Sequence, residues 1–268
     1  MKKIVLCLII MFTSVYSYAG AHALYDFGSA SYIIESNRHE VRSIASITKL
    51  FTAVTVLNSG VDLNEKIKVD GKSGGHIPRG VYMTRMDLMR AMLISSDNRA
   101  AETLANNHPG GFDKFIKDAN EYAFSKSLYN TTIVDSTGLL PGNQSTATDL
   151  IELLSLIKNN VIIRSIASDR NAVLNFPKGK KHITINIHNT NPEIFVYDNI
   201  LISKTGFTNP AGRCVLMLIE KKKELYGVVV LGQRNVKSRS ILVKELLSVE
   251  HEPEPIPRIN GTLDFRQP

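Results

Sequence analysis

Three short motifs hold the residue types that could do chemistry in this sequence: Ser46-Ile47-Thr48-Lys49, Ser96-Asp97-Asn98 and Lys204-Thr205-Gly206. A serine hydroxyl is a poor nucleophile and needs a base to take its proton. Residues three apart on a helix lie on one face, one turn apart, so Lys49 comes within reach of the Ser46 hydroxyl if a helix starts there. The positive end of that helix dipole favours a developing alkoxide. Lys49 can accept the proton only when neutral. Burial and a second cation would lower its pKa, and Lys204 is the candidate for that cation.

Each motif alone is weak. A Ser three residues before a Lys is expected about once by chance in a chain of this length, and a second instance, Ser155 to Lys158, falls within an ordinary helical pattern. The order and company of the three carry the weight. Each residue also has a plain alternative: Asp97 or Asn98 could cap a helix, and Thr205 suits a strand. The functional reading puts Ser96 in the proton relay toward the leaving nitrogen. Asn98 binds the substrate's peptide carbonyl and orients Lys49, and the Thr205 hydroxyl grips a substrate carboxylate beside Lys204. Gly206 lets backbone approach a ligand, and the N–H groups of Ser46 and Phe207 form an oxyanion hole.

The trio, in this order, is the signature of class A β-lactamases and penicillin-binding proteins. Further segments extend the likeness: Ser95-Ser96-Asp97-Asn98-Arg99-Ala100-Ala101-Glu102, Asp135-Ser136-Thr137-Gly138-Leu139, Ser145-Thr146-Ala147-Thr148-Asp149-Leu150, and Lys204-Thr205-Gly206-Phe207-Thr208-Asn209 with Ala211-Gly212-Arg213-Cys214. The chain resembles the low-molecular-mass penicillin-binding proteins, the D-alanyl-D-alanine carboxypeptidases and endopeptidases, and most of all their short endopeptidases. The resemblance implies an α+β fold, β-lactamase/transpeptidase-like: a five-stranded antiparallel sheet flanked by helices, plus an inserted all-helical lobe. It also implies peptidoglycan peptides as substrate, β-lactams as covalent inhibitors, and no cofactor. Endopeptidase and carboxypeptidase differ in the leaving amine, which residue chemistry alone does not separate.

The elements that must position these residues can be read from the pattern. Strands are expected at Ala23 to Phe27 and Ser31 to Ile34, then a helix from Ser46 to Asn58 with Leu50, Val54 and Leu57 at helical spacing and Gly60 as a stop. Ile67 to Val69 is a short strand and Lys72 to Gly80 a loop. Thr84 can cap a helix bearing Leu88, Met89, Met92 and Leu93. Ser95 to Asn98 breaks it, and Arg99 to Asn106 resumes it. Further helices are expected at Phe112 to Ser125 and Ala147 to Lys158, around the turn-rich Asp135 to Gln144. Branched residues mark strands at Ile183 to Ile187, Asn199 to Lys204, Arg213 to Glu220 and Glu224 to Leu231, and Ser238 to Leu247 closes as a helix. Strands at both ends of the chain with helices between suggest one sheet built from both ends, with a helical lobe at about residues 70–160 inserted in a domain spanning 20–250.

Lys2 and Lys3, the apolar run Ile4 to Phe12 and the small residues of Ser17-Tyr18-Ala19 have the layout of a secretory signal peptide, cleaved after Ala19. This implies export to the periplasm. No later stretch is long and apolar enough for a membrane helix, so no stable membrane anchor is expected, and residues 251–268 form a polar, Pro-rich tail. Cys214 lies in an apolar run and is expected to be a buried, inert thiol. The formal charge of +7 is scattered, with no basic stripe interleaved with aromatics, so nucleic acid is not expected. The seven histidines show no ligand spacing and no metal is expected.

Rival readings fail on particular residues. A class A β-lactamase needs a carboxylate between the second and third motifs to hydrolyse its acyl-enzyme, and no Glu-x-x-Leu-Asn segment is present. Gly71-Lys72-Ser73-Gly74-Gly75 matches a nucleophile elbow, but His76-Ile77-Pro78-Arg79-Gly80 after it is no helix. A wall-binding module without catalysis has no use for an activated serine.

Overall fold

A computed structural model describes residues 20–249. The proposed leader at 1–19 and the tail at 251–268 lie outside the described residues. In chain order the elements are β1 (Ala21–Asp26), β2 (Ser31–Ser36), β3 (Arg42–Ser43), a 3₁₀ turn (Ala45–Ile47), α1 (Thr48–Asn58), β4 (Lys66–Lys68), β5 (Tyr82–Thr84), α2 (Arg85–Ile94), α3 (Asn98–Asn106), α4 (Gly111–Ser125), β6 (Gln144–Ser145), α5 (Ala147–Ile157), α6 (Val161–Ala167), β7 (Asn171–Lys178), β8 (Lys181–His188), a second 3₁₀ turn (Pro192–Phe195), β9 (Ile200–Thr208), β10 (Gly212–Lys221), β11 (Glu224–Gln233) and α7 (Val236–Ser248).

The main sheet has five strands in the order β2-β1-β11-β10-β9, every pair antiparallel. The first and last parts of the chain thus meet in one sheet, and β9 lies at an edge. Its inner strands are buried on both faces. Ile202, Leu216, Leu218, Val229 and Leu231 enter the core shared with α1 to α6, while Val215, Met217, Val228 and Val230 join Val243 and Leu246 of α7 on the other side. Side chains alternate along a strand, so a strand covered on both faces reads as a continuous apolar run. This is why Cys214 to Ile219 shows no alternation.

The helices begin where the chain offers caps. Thr84, Asp97, Thr146 and Asn160 each accept a backbone N–H at the start of α2, α3, α5 and α6. Three differences from the sequence expectations matter. The chain before α1 makes a 3₁₀ turn over Ala45–Ile47 instead of starting the α-helix at Ser46. Strand β9 runs past Lys204 to Thr208. Helix α6 and strand β7, which pairs with β8 in a separate hairpin, were not anticipated. Among the described residues no helix is long and apolar enough to cross a membrane.

Candidate active site

Ser46 sits in the middle of the 3₁₀ turn, after Ala45, whose φ of 47° lies in the left-handed region. Two glycines hold this turn by their lack of a side chain. A Cβ on Gly138 (φ +81°) would lie 1.9 Å from the Ala45 carbonyl oxygen, and one on Gly206 would lie 2.9 Å from both the Ile44 oxygen and the Ser46 nitrogen. The nucleophile's backbone is thus clamped between β9 and the loop at residues 135–143.

That loop is organised by one carboxylate. Asp135 accepts hydrogen bonds from the N–H groups of Thr137, Gly138 and Leu140, the Thr137 hydroxyl and the Asn143 amide. Burial would raise its pKa, but these donors favour the ionised form and hold it below the usual value. The ordered loop points the Thr137 carbonyl at the site, where it accepts from Lys49 Nζ at 2.6 Å.

Lys49 lies on the first turn of α1, wholly buried. Its Nζ is 2.9 Å from Ser46 Oγ and donates to Asn98 Oδ1 at 2.7 Å. Burial takes its pKa from 10.5 to about 7, partly opposed by the negative charges of Asp135, Asp97 and Glu102. The sequence reading gave burial and Lys204, as a neighbouring cation, as joint causes of this depression. Desolvation is the cause, and the charge effect falls on Lys204, whose pKa is lowered well below the ordinary value by burial first, then by Lys49 and Arg239. Of two depressed lysines, geometry separates the roles: Lys49 faces Ser46, whereas Lys204 donates to Ser96 Oγ and the Thr205 carbonyl, each at 3.0 Å.

Ser96 joins α2 to α3 with φ at 58°, a strained setting for a residue with a side chain. Asp97 next to it caps α3 through the Ala100 N–H and also accepts from the N–H groups of His76 and Ile77. The plain reading of Asp97 as a helix cap therefore describes its contacts. The loop that matched a nucleophile elbow is tied down at the same place, with Glu102 accepting from the N–H groups of Lys72 and Ser73 and from the Ser73 hydroxyl. Thr205 Oγ1 lies 2.7 Å from Thr190 Oγ1.

Ser46, Ser96, Asn98, Thr205, Gly206 and Phe207 border one cleft of about 260 Å³, and Lys49 and Lys204 lie buried behind it. All eight residues singled out from the sequence thus come together. Phe207 lies one strand position beyond Gly206, its ring 45% exposed and stacked on Arg213. Sequence reasoning missed the Thr137 carbonyl, Thr190, Arg213 and Arg239 at this site. Ser136-Thr137-Gly138 carried the family likeness but suggested no role, since a backbone carbonyl leaves no mark in residue type. Among the described residues, no group of His, Cys, Asp or Glu is gathered as a metal site requires.

A family model described as D-alanyl-D-alanine carboxypeptidase matches residues 14–235. A D-alanyl-D-alanine endopeptidase of Escherichia coli is 38% identical over 222 residues, 80% of this chain and 71% of that protein. One from Pseudomonas aeruginosa is 34% identical over 80% of this chain and 71% of its own. Among solved structures, penicillin-binding protein D2 of Listeria monocytogenes in its ampicillin-bound form superposes with a TM-score of 0.76 at 28% identity, covering 87% of this chain and 97% of that one. The Streptomyces K15 DD-transpeptidase gives 0.79 at 22% identity over 84% and 94%, a likeness of fold. On motif, fold and match together, the chain belongs to the D-alanyl-D-alanine carboxypeptidase family of serine peptidases.

Proposed function

We propose that this chain is a serine-type D-alanyl-D-alanine endopeptidase that hydrolyses D-alanyl cross-links in peptidoglycan through an acyl-enzyme on Ser46. The observation that carries the mechanism is Ser46 Oγ held 2.9 Å from a buried Lys49 Nζ whose pKa lies about 7. A lysine poised near neutrality can take the hydroxyl proton as the oxygen attacks. The oxyanion rests on the N–H groups of Ser46 and Phe207. Ser96, backed by Lys204, passes a proton to the leaving nitrogen, while Asn98 holds the peptide carbonyl and Thr205 the carboxylate. Water then frees the acid and restores Ser46.

The endopeptidase reading draws on the names of three relatives at 38%, 34% and 27% identity. A carboxypeptidase that trims pentapeptides is the second reading, favoured by the family description and by more distant relatives such as the carboxypeptidase DacF of Bacillus subtilis at 25%. β-Lactams acylate Ser46 and leave slowly, since no segment of the β-lactamase type supplies a deacylating carboxylate. The chain acts in the periplasm after removal of residues 1–19.

Mass spectrometry after exposure to a labelled penicillin tests the chemistry, with Ser46→Ala alongside. A stable adduct on Ser46, absent in the variant, is expected. Rapid loss of penicillin without an adduct would instead mark a β-lactamase. Product analysis on a purified cross-linked dimer and on a pentapeptide then separates the two leaving groups.

A further inference from the structure

Basic residues that are scattered along the sequence meet at one place in the fold. The β7–β8 hairpin turns at Gly179 and Lys180, and its tip carries Lys178, Lys180 and Lys181, all exposed. A groove of about 390 Å³ has Pro177 and Lys178 on one side and Arg79 and Tyr82 on the other. Lys68 pairs with Tyr82 in the β4–β5 ladder, while Ile67 and Met83 are buried, so Lys68 shares the outward face of Tyr82.

The described residues do not neutralise this face. No carboxylate among them pairs with Lys68, Arg79, Lys178, Lys180 or Lys181. The chain holds no Asp or Glu between Asp169 and Glu193. The two acids flanking β4 are engaged elsewhere: Glu65 pairs with Arg85, and Asp70 accepts from the Asn106 amide. Lys178 and Lys181 also stand directly opposite each other in the hairpin ladder. Like charges so placed destabilise a strand pair, and a bound anion removes that repulsion.

The face is continuous with the catalytic cleft. Ser96 and Asn98 border the cleft, Asp97 between them holds the N–H groups of His76 and Ile77, and Arg79 follows two residues on. Thr190 also borders the cleft, and β8 leads away from it to Lys181. A strand of eight residues spans about 25 Å. From a bond held in the cleft, an extended five-residue peptide reaches at most about 17 Å. The hairpin tip thus lies beyond the peptide being cut, and an anion bound there belongs to another part of the same polymer.

We propose that the β7–β8 tip, with Arg79 and Lys68, is a second binding surface, which takes the carboxylates of peptidoglycan peptides neighbouring the one in the cleft and keeps the protein on the polymer between cuts. The identity of the polyanion rests on the substrate proposed above.

The test uses Ser46→Ala, which cannot cut, and measures its binding to purified sacculi by sedimentation at several salt concentrations. Binding is expected to weaken as salt rises. Lys178→Glu, Lys180→Glu and Lys181→Glu together weaken it by about tenfold or more and flatten its salt dependence. Lys178→Gln, Lys180→Gln and Lys181→Gln together give an intermediate loss. Lys126→Glu, Lys223→Glu and Lys244→Glu together reverse three exposed lysines elsewhere, change the net charge equally, and leave binding within about twofold. With Ser46 intact, the tip variants are acylated by benzylpenicillin at the wild-type rate, which shows the cleft in place. Unchanged binding in both tip variants, or an equal loss in the distant-lysine variant, overturns the proposal. So does capture by phosphatidylglycerol vesicles that the tip variants lose while their binding to sacculi is unchanged, which marks a membrane-facing surface. If benzylpenicillin leaves Ser46 of the wild-type protein unmodified, the acyl-enzyme reading falls, whereas the sacculus measurement, made without Ser46, still reads the tip directly.

Discussion

Lys49 must be buried enough to lose its proton near neutrality and yet be hydrogen-bonded enough to stay in place. Its three neighbours, Ser46 Oγ, Asn98 Oδ1 and the Thr137 carbonyl, are all oxygens that can accept from an ammonium. With a pKa of about 7, the neutral, base-competent form grows as pH rises. The rate of Ser46 acylation by a penicillin should therefore rise about tenfold per pH unit below about 7 and level off above it. Lys49→Ala should abolish the bend and slow the reaction by at least about a hundredfold. A flat profile in the wild-type protein, followed by mass spectrometry from pH 5 to 9, would remove Lys49 as the base. Residue type and spacing showed the Ser46–Lys49 pair in advance, because that pairing is made within one turn of chain. They named burial correctly but added Lys204 as a second cause, because how two buried lysines share their mutual repulsion depends on packing that no motif reports.

At the scale of elements, the site depends on backbone held in unusual places. Asp135 accepts five hydrogen bonds inside its loop. Asp135→Ala should cost about 3 kcal/mol, since several buried donors lose their acceptor together. Because its folded pKa is depressed below 3.8, this carboxyl adds stability above the unfolded value and loses it as pH falls through the folded one. Denaturant titrations at pH 7 and pH 3 should show a smaller acid loss in the variant than in the wild type. Gly138→Ala is the sharper test of the clamp. Its Cβ would meet the Ala45 oxygen at 1.9 Å, in a positive-φ setting that alone costs about 1 kcal/mol. The turn must move, and Ser46 acylation should slow by more than about tenfold, while a variant acylated at the wild-type rate would show that the turn's position is not critical. The capped helices were legible, Thr84 and α2 among them. Strand β7 was not: Pro177 and the exposed polar residues of Asn171–Lys178 mask its alternation, although Gly179 at the turn (φ +62°) was a usable signal. Helix α6, at seven residues, is too short for periodicity to reveal.

Across the whole molecule, the link between Lys204 and Ser96 joins a sheet strand to the helices, and the Thr190 N–H adds a second tie through the Ile94 carbonyl. The order of strands, helices and strands along the chain indicated one sheet made from both ends. The five-stranded sheet bears this out, because antiparallel pairing lets β1 lie beside β11 without a crossover helix. Cys214 lies inside that sheet at 0% exposure, its thiol pushed up to about 11 by burial. At pH 8 the folded protein should resist maleimide at Cys214 for hours, and unfolding in guanidinium should expose it to complete labelling, as read by peptide mass mapping. Labelling without denaturant would mean that this sheet opens locally.

Strand β9 ends the sheet, with β10 on one side only, so along its other side alternate backbone N–H and C=O groups meet no strand among the described residues. Those groups belong to every amino acid except proline, which lacks the N–H. Recognition through them is therefore insulated from mutation. Exchanging side chains along Phe207 and Thr208 would alter what surrounds a peptide or drug laid along this edge without removing the main-chain donors open to it. Escape from an inhibitor that exploits this edge must then come from moving the strand itself, and Gly206, packed against the Ser46 backbone, lets little of that happen without losing the nucleophile as well.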